Sequence, residues 1–171
     1  MADKIDIEEA ERHLDGLDVQ FMAGMEKVQA GDIDAGAEVF RRILQAEPRL
    51  AEPRIELARI LMETSQFKEA EAEIREAIRI LENGGQWIDA LTEAQVLSVG
   101  YGILAEILRV LAESDEVVFG DPDTWRNIVD EAHAAFRKAR ELDPDNAHAD
   151  YWAGGFDVDG GDAASSVSDD A

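Results

Sequence analysis

The sequence predicts an all-α protein built from successive helix hairpins. Apolar residues recur with a helical period through most of the 171 residues, whereas the alternation typical of strands is nearly absent. Amphipathic stretches of helix length include 36–46, 51–63 and 68–82. All four prolines stand where a helix can begin or end, and glycine-containing turn signals separate the helical stretches. These positions are Pro48, Pro53, Pro122, Pro144, Gly31-Asp32, Asn83-Gly84-Gly85 and Gly120-Asp121-Pro122.

The charge balance narrows the classes of function. Asp and Glu number 39 against 16 Lys and Arg, which gives a formal net charge of −23. Such a surface repels the phosphates of nucleic acid and of anionic membranes, so neither is an expected partner. The acidity is consistent with either a high-salt environment or a basic ligand, and the sequence does not distinguish between these two explanations.

Three absences from the sequence lead to further expectations. Cysteine does not occur, so disulfides, a thiol nucleophile and a thiolate metal site are excluded. No apolar run approaches the roughly 18 residues of a membrane span. The first residues, MADKIDIEEAERH, lack the apolar segment of a signal peptide. We therefore expect a soluble protein of the cytoplasm.

An internal repeat becomes visible when the chain is shifted by 34 residues (24 to 58, 36 to 70). The shift places Gly24 on Ala58 and Gly36 on Ala70, so that small residues fall on small ones. It also brings Phe40 onto a large apolar residue. Small residues let two helices approach closely, and a bulky residue one turn later fills the remaining gap. The pattern predicts stacked helix hairpins.

These residues resemble the tetratricopeptide repeat (TPR) family, whose motif combines small and aromatic residues at fixed positions with a closing proline. A first repeat, about 17–50, matches at five positions but has Ile43 where the motif is small. A second repeat, about 51–84, also matches at five positions and has Glu82 where the motif has proline, so the Asn-Gly-Gly turn is expected to end its helix. The matching residues are Gly24, Ile33, Gly36, Phe40, Pro48, Ala58, Phe67, Ala70, Ile74 and Ala77.

A third repeat is present in expanded form over 85–146. Its second helix carries the motif, but an insertion of about 28 residues lies between 83 and 126, since Ile74 and Phe136 are 62 residues apart instead of 34. The stretch 86–113 is predicted as one long helix, or as two with a break near Gly100 and Gly102, that covers the end of the stack. The N-cap of the closing helix of this repeat is expected to be Asp123 or Thr124. The matching residues are Ala132, Phe136, Ala139 and Pro144.

The resulting domain organisation has three parts. Residues 1–16 are predicted as an N-terminal capping helix, centred on 5–15, and 17–152 as the repeat domain. A short helix over 146–153 would shield the last repeat through His148, Ala149 and Trp152. Residues 153–171 are expected to form a disordered acidic tail, since they combine Gly, Ser and Asp without apolar periodicity.

Catalytic chemistry finds little support in the residues. None of the three histidines is next to a nucleophile in sequence, and no phosphate-binding glycine motif occurs. Asp143, Asp145, His148 and Asp150 could ligate a divalent cation, but aspartates near a helix start more often cap backbone N–H groups. We therefore expect no enzyme activity, no cofactor and no bound metal.

The resemblance implies a partner-binding groove on the first helices of the repeats. Methionines on this surface would adapt to varied apolar partners, and the acids beside them would favour a basic or amphipathic segment. Two readings stay open beside this one: the apolar members pack between helices or under the N-terminal helix, or the acids form a solvated face. The groove residues are Phe21, Met22, Met25, Glu52, Ile55, Glu56, Arg59, Met62, Glu63 and Tyr101, with Leu97 and Leu104 continuing the surface.

The expected function is a non-enzymatic protein-interaction adaptor or co-chaperone that binds a partner peptide or helix in this groove. One alternative is a specialised chaperone of a secretion or pilus assembly system. Another is a self-assembling structural unit in which the apolar helix around 96–111 pairs with its own copy, so homo-oligomerisation stays open. The TPR clamp for chaperone C-termini is not expected, because its Lys, Arg and Asn positions are largely Glu, Met and Phe here.

Overall fold

The computed structural model describes residues 3–87 and 91–146, and within them the side chains from Gly16 onward. This part of the chain is all-α and contains no strand longer than a single bridge. Its helices are α1 (Asp3–Gln29), α2 (Ile33–Ala46), α3 (Glu52–Glu63), α4 (Phe67–Glu82), α5 (Glu93–Ala112), α6 (Asp115–Val118) and α7 (Pro122–Leu142). The all-α prediction is confirmed.

The first hairpin, α1 with α2, is closed at a crossing of two glycines. A Cβ atom on Gly24 would lie 2.7 Å from Cε1 of Phe40, and one on Gly36 would lie 3.1 Å from the carbonyl oxygen of Gly24. The helices therefore approach more closely than any larger residue allows. Phe40 fills the space beside the crossing and is fully buried.

The second hairpin, α3 with α4, repeats this arrangement with alanines. Ala58 and Ala70 are fully buried and lie in one apolar cluster, as does Ala77. The predicted helix stop after α4 is present: Asn83 follows the last helical residue and Gly84 adopts a φ of +70°, which favours glycine.

The loops that follow the first and second hairpins are joined by backbone hydrogen bonds. Ala51 N–H donates to the Gln86 carbonyl at 3.1 Å, and Gln86 N–H donates to the Arg49 carbonyl at 3.2 Å. The Arg49 guanidinium also donates to the Gly84 carbonyl at 2.9 Å. These bonds fix the start of α3 against the end of α4.

The N-terminal helix differs from the sequence prediction. The expected helix over 5–15 and the first helix of repeat one form a single 27-residue helix, α1. Gly16 lowers helix propensity by only about 1 kcal/mol and lacks the steric clash of proline, so it does not end the helix. The separate boundary at residue 16 is therefore not seen in the backbone.

The third hairpin pairs α5 with α7 and inserts the short α6 between them. α5 runs without a break through Gly100 and Gly102, and a capping box of Thr92 and Gln95 begins it. A Cβ on Gly100 would lie 3.2 Å from Ile78 of α4, so this glycine serves the close contact between α4 and α5 and does not mark a helix break.

The N-cap of α7 was predicted two or three residues too late. It is Asp121, whose carboxylate accepts a hydrogen bond from the Thr124 N–H at 3.1 Å. Pro122 occupies the first turn, where its missing N–H is not needed. Asp123 and Thr124 are therefore inside the helix.

The apolar interior of the described residues forms two clusters. One surrounds Phe40 and Ile43 between α1, α2 and α3, and the other joins α3, α4, α5 and α7 around Ile74 and Ile107. The predicted helix over 146–153 and the acidic tail lie outside the described residues.

α5 has the length and mean hydropathy, 1.4, of a membrane-spanning helix. The expectation that no segment approaches a span is therefore too strict, because it considered only uninterrupted apolar runs. In the fold, 56% of the most apolar window of α5 is buried.

Candidate functional site

A groove of about 470 Å³ lies between α3 and α5. Its apolar floor is formed by Met62 of α3 with Val99 and Ile103 of α5. Charged and polar side chains surround this floor. We call this site the α3–α5 groove, and its polar lining consists of Arg59, Glu63, Glu106 and Asn146.

The helices place these side chains through their buried faces. On α3, Ala58 is fully buried and Met62, four residues later, packs against the edge of the same cluster. On α5, Gly100 brings the helix against Ile78 of α4, so Val99 and Ile103 face α3. The groove is therefore a consequence of how the second and third hairpins nest.

The C-terminal border of the groove is held by a buried polar contact. Ser98 is fully buried, and its hydroxyl donates to the Ala139 carbonyl of α7 at 2.7 Å. The Asn146 amide donates to the same hydroxyl oxygen at 2.8 Å. Asn146 is thereby fixed at the groove by α5.

The electrostatics of the groove are acidic. Burial raises the pKa of Glu56, an effect opposed by the positive charge of Arg59 and reinforced by Glu63. The Arg59 guanidinium lies 3.7 Å from the Glu56 carboxylate. With Glu106 on the opposite wall, three carboxylates share the groove region with one arginine.

The α3 residues predicted from the sequence occupy two different environments. Arg59, Met62 and Glu63 line the groove together, and Glu56 stands beside them. Ile55, 3% exposed, belongs to the core and does not line the groove. Glu52 is 8% exposed at the first turn of α3, where its charge complements the helix dipole.

The α1 residues predicted for the same groove belong to another part of the molecule. The ring of Phe21 packs against Phe40 with 5.4 Å between centroids, and Met25 packs against the same cluster. Met22 is 54% exposed. Phe21 and Met25 therefore match the alternative in which these side chains pack between helices.

Tyr101 is not with the groove residues. Its hydroxyl donates to the Glu82 carboxylate of α4 at 2.5 Å, and burial, followed by this bond, raises its pKa to about 12. Leu97 and Leu104 are likewise turned inward, 7% and 5% exposed.

Val99, Ile103 and Glu106 are the groove residues of α5 that sequence reasoning missed. They have the same spacing as the predicted row 97, 101 and 104, but are displaced by two residues. A displacement of two residues rotates the row by roughly 200° around the helix, onto the opposite face. The signal that could have corrected the register is Gly100, which marks the face against α4.

Chemical sites are not evident in the described part of the chain. It contains no group of three His, Asp or Glu side chains placed to hold a metal ion. Asp143 accepts a hydrogen bond from the Asp145 N–H at 3.2 Å, which is a turn contact. His148 and Asp150 of the predicted cluster lie outside the described residues.

Hairpins that nest on small residues and share a groove define a helical-repeat protein. Residues 27–93 match the model of the tetratricopeptide repeat family, from the end of α1 to the first residue of α5. Over these residues the chain is similar to tetratricopeptide repeats, as its sequence predicted. No curated protein matches it. The repeat is in general a non-catalytic fold that mediates protein–protein interaction.

Proposed function

We propose that the protein is a non-enzymatic adaptor or co-chaperone that holds a basic, amphipathic segment of a partner protein in the α3–α5 groove. The supporting observation is the groove itself, with Met62, Val99 and Ile103 as an apolar floor between acidic side chains. An apolar floor favours the apolar side of such a segment, and Glu63 and Glu106 favour Lys or Arg along its edges.

The test compares two methionines of different position. Met62→Glu places a charge on the groove floor, whereas Met22→Glu places the same charge on the exposed surface of α1. Tagged full-length proteins are used to capture partners, which are identified by mass spectrometry and then purified for titration. We expect Met62→Glu to lower the affinity of the purified partner about tenfold or more, and Met22→Glu to leave it unchanged.

Two controls accompany this comparison of Met62→Glu with Met22→Glu. Circular dichroism must show unchanged helicity in both variants, and Glu63→Lys must weaken a basic partner without touching the floor. Equal binding by wild type and Met62→Glu would show that the groove is not the binding site.

The two alternative functions lead to different observations. A specialised secretion or pilus chaperone would co-purify in fixed stoichiometry with one apolar partner. A self-assembling unit would pair through surfaces other than the core-facing side of α5, since Val96, Leu97 and Leu108 pack within the fold. Sedimentation at two concentrations tests homo-oligomerisation through other surfaces.

A further inference from the structure

The segment between α5 and α7 exposes large apolar side chains. Phe119 is 84% exposed, Val118 51% and Trp125 43%. They stand on either side of the Gly120-Asp121 turn, and we call them the α6 corner. Single exposed apolar residues are normal, whereas several close together are typical of interaction surfaces.

These residues do not serve the core of the described structure. α6 contributes no buried residue, although ordering its chain has an entropic cost. The segment also lies inside the insertion that separates the third repeat from the regular 34-residue spacing. The corner is therefore an addition to the repeat stack that the stack does not need for its own packing.

The corner is nevertheless held in a defined conformation. A Cβ on Gly120 would lie 2.6 Å from the Glu116 carbonyl oxygen, so the turn that presents Phe119 requires glycine. Lys68 of α4 forms an ion pair with Glu116 at 2.9 Å across the surface. A preformed surface loses less entropy when a partner binds.

Acidic side chains surround the corner. Residues 113–126 contain five acids and one base, Arg126. The nearby cations already have partners: Lys68 pairs with Glu116, Arg109 with Glu113 at 2.7 Å, and Arg126 with Asp123 at 3.0 Å. The remaining field is negative, so it repels anionic membranes, nucleic acid and a second copy of this chain, which itself carries −23.

A small apolar cavity adjoins the corner on the α7 side. It has a volume of about 180 Å³, and Trp125 forms part of its wall together with Ala112, Val129 and Phe136. The cavity offers a socket for one aliphatic side chain beside an exposed indole. Aromatic side chains next to such sockets are typical anchors of protein interfaces.

We propose that the α6 corner is a second docking surface, separate from the α3–α5 groove, for a basic amphipathic helix of another protein. Phe119 and Trp125 contact its apolar side, and Asp115 and the neighbouring acids face its Lys or Arg residues. A chain with both surfaces joins two segments, of one partner or of two.

The experiment uses a labelled synthetic helix of leucine and lysine, titrated by fluorescence anisotropy into full-length protein. Met62→Glu is present throughout, so that the groove does not bind the peptide. In this background Phe119→Asp is expected to weaken binding about tenfold or more. Val19→Asp is the matched control, because Val19 is 70% exposed on α1, and it should have no effect.

Three results would overturn the proposal. In the first, Phe119→Asp and Val19→Asp bind the peptide equally. In the second, a glutamate version of the peptide binds as well as the lysine version. In the third, the protein forms dimers by sedimentation that Phe119→Asp abolishes, which assigns the corner to a second copy. If the peptide binds the wild-type protein but not the Met62→Glu protein, the corner is not a binding surface and the groove proposal stands.

Discussion

At the scale of single residues, two glycines determine how closely α1 and α2 pack. A Cβ at Gly36 would overlap Cγ2 of Val28 and press on the Gly24 backbone. Gly36→Ala should therefore destabilise the protein by about 1–3 kcal/mol, even though alanine is the better helix former. The free energy of unfolding from urea titration measures the change.

Gly16 provides the matched control for this prediction. It also lies inside α1, but a Cβ atom added there would meet no other atom within 4 Å, so only helix propensity changes. Gly16→Ala should raise the free energy of unfolding, by up to about 1 kcal/mol. If both substitutions stabilise the protein, the close crossing of α1 and α2 is not real.

Glu56 makes stability depend on pH. Because burial raises its pKa in the folded state, the folded protein favours the protonated form more than the unfolded chain does. Below the pKa of a glutamate in the unfolded chain, about 4.3, Glu56 is neutral in both states and contributes to stability much as a glutamine would. As pH rises through the raised folded pKa, the charged carboxylate increasingly disfavours folding.

Glu56→Gln should accordingly be more stable than wild type at neutral pH. The difference between their free energies of unfolding should decrease as the pH is lowered, and urea titrations at several pH values measure this difference. Glu38→Gln, on the exposed face of α2, corrects for the loss of one negative charge. A stability difference that increases toward acidic pH would contradict a raised pKa for Glu56.

At the scale of elements, one hydroxyl ties α5 to the end of α7. Ser98 is fully buried and bonds both Ala139 and Asn146. Ser98→Ala leaves the Asn146 amide without this acceptor and should cost about 1–3 kcal/mol of unfolding free energy. Ser114→Ala is the control, because its hydroxyl bonds only within the last turn of α5, to Leu111. Equal losses in both variants would show that the link between the helices contributes nothing.

How far the elements could be predicted depends on the repeat register. Within 17–84 the 34-residue spacing carries the small residues from one hairpin to the next, and the predicted amphipathic stretches end at the last residues of α2, α3 and α4. The insertion removes that reference, so the repeat spacing could not determine which face of α5 meets α3, and Gly100 was the remaining signal. Tyr101 was therefore assigned to the groove, although it bonds Glu82 on the opposite face.

At the scale of the whole molecule, local attraction opposes long-range repulsion. The ion pairs of the described residues include Arg75, which contacts Glu131 of α7 at 2.6 Å and Glu71 at 2.8 Å. Arg75 lowers the pKa of Glu131 through their hydrogen bond. Such partly exposed pairs contribute at most about 1 kcal/mol each. A net charge of −23, in contrast, acts on every acidic side chain at once.

Salt separates these two effects. Between about 10 mM and 150 mM NaCl the screening length falls from roughly 30 Å to 8 Å, which weakens repulsion across the molecule more than contacts at hydrogen-bond distance. We therefore expect the urea midpoint to rise with NaCl over this range. In Arg75→Gln one attractive site is lost, so salt should raise its midpoint more steeply than that of wild type. A midpoint that falls with NaCl would show that the ion pairs outweigh the net charge, and that the acidic surface does not limit stability at low salt.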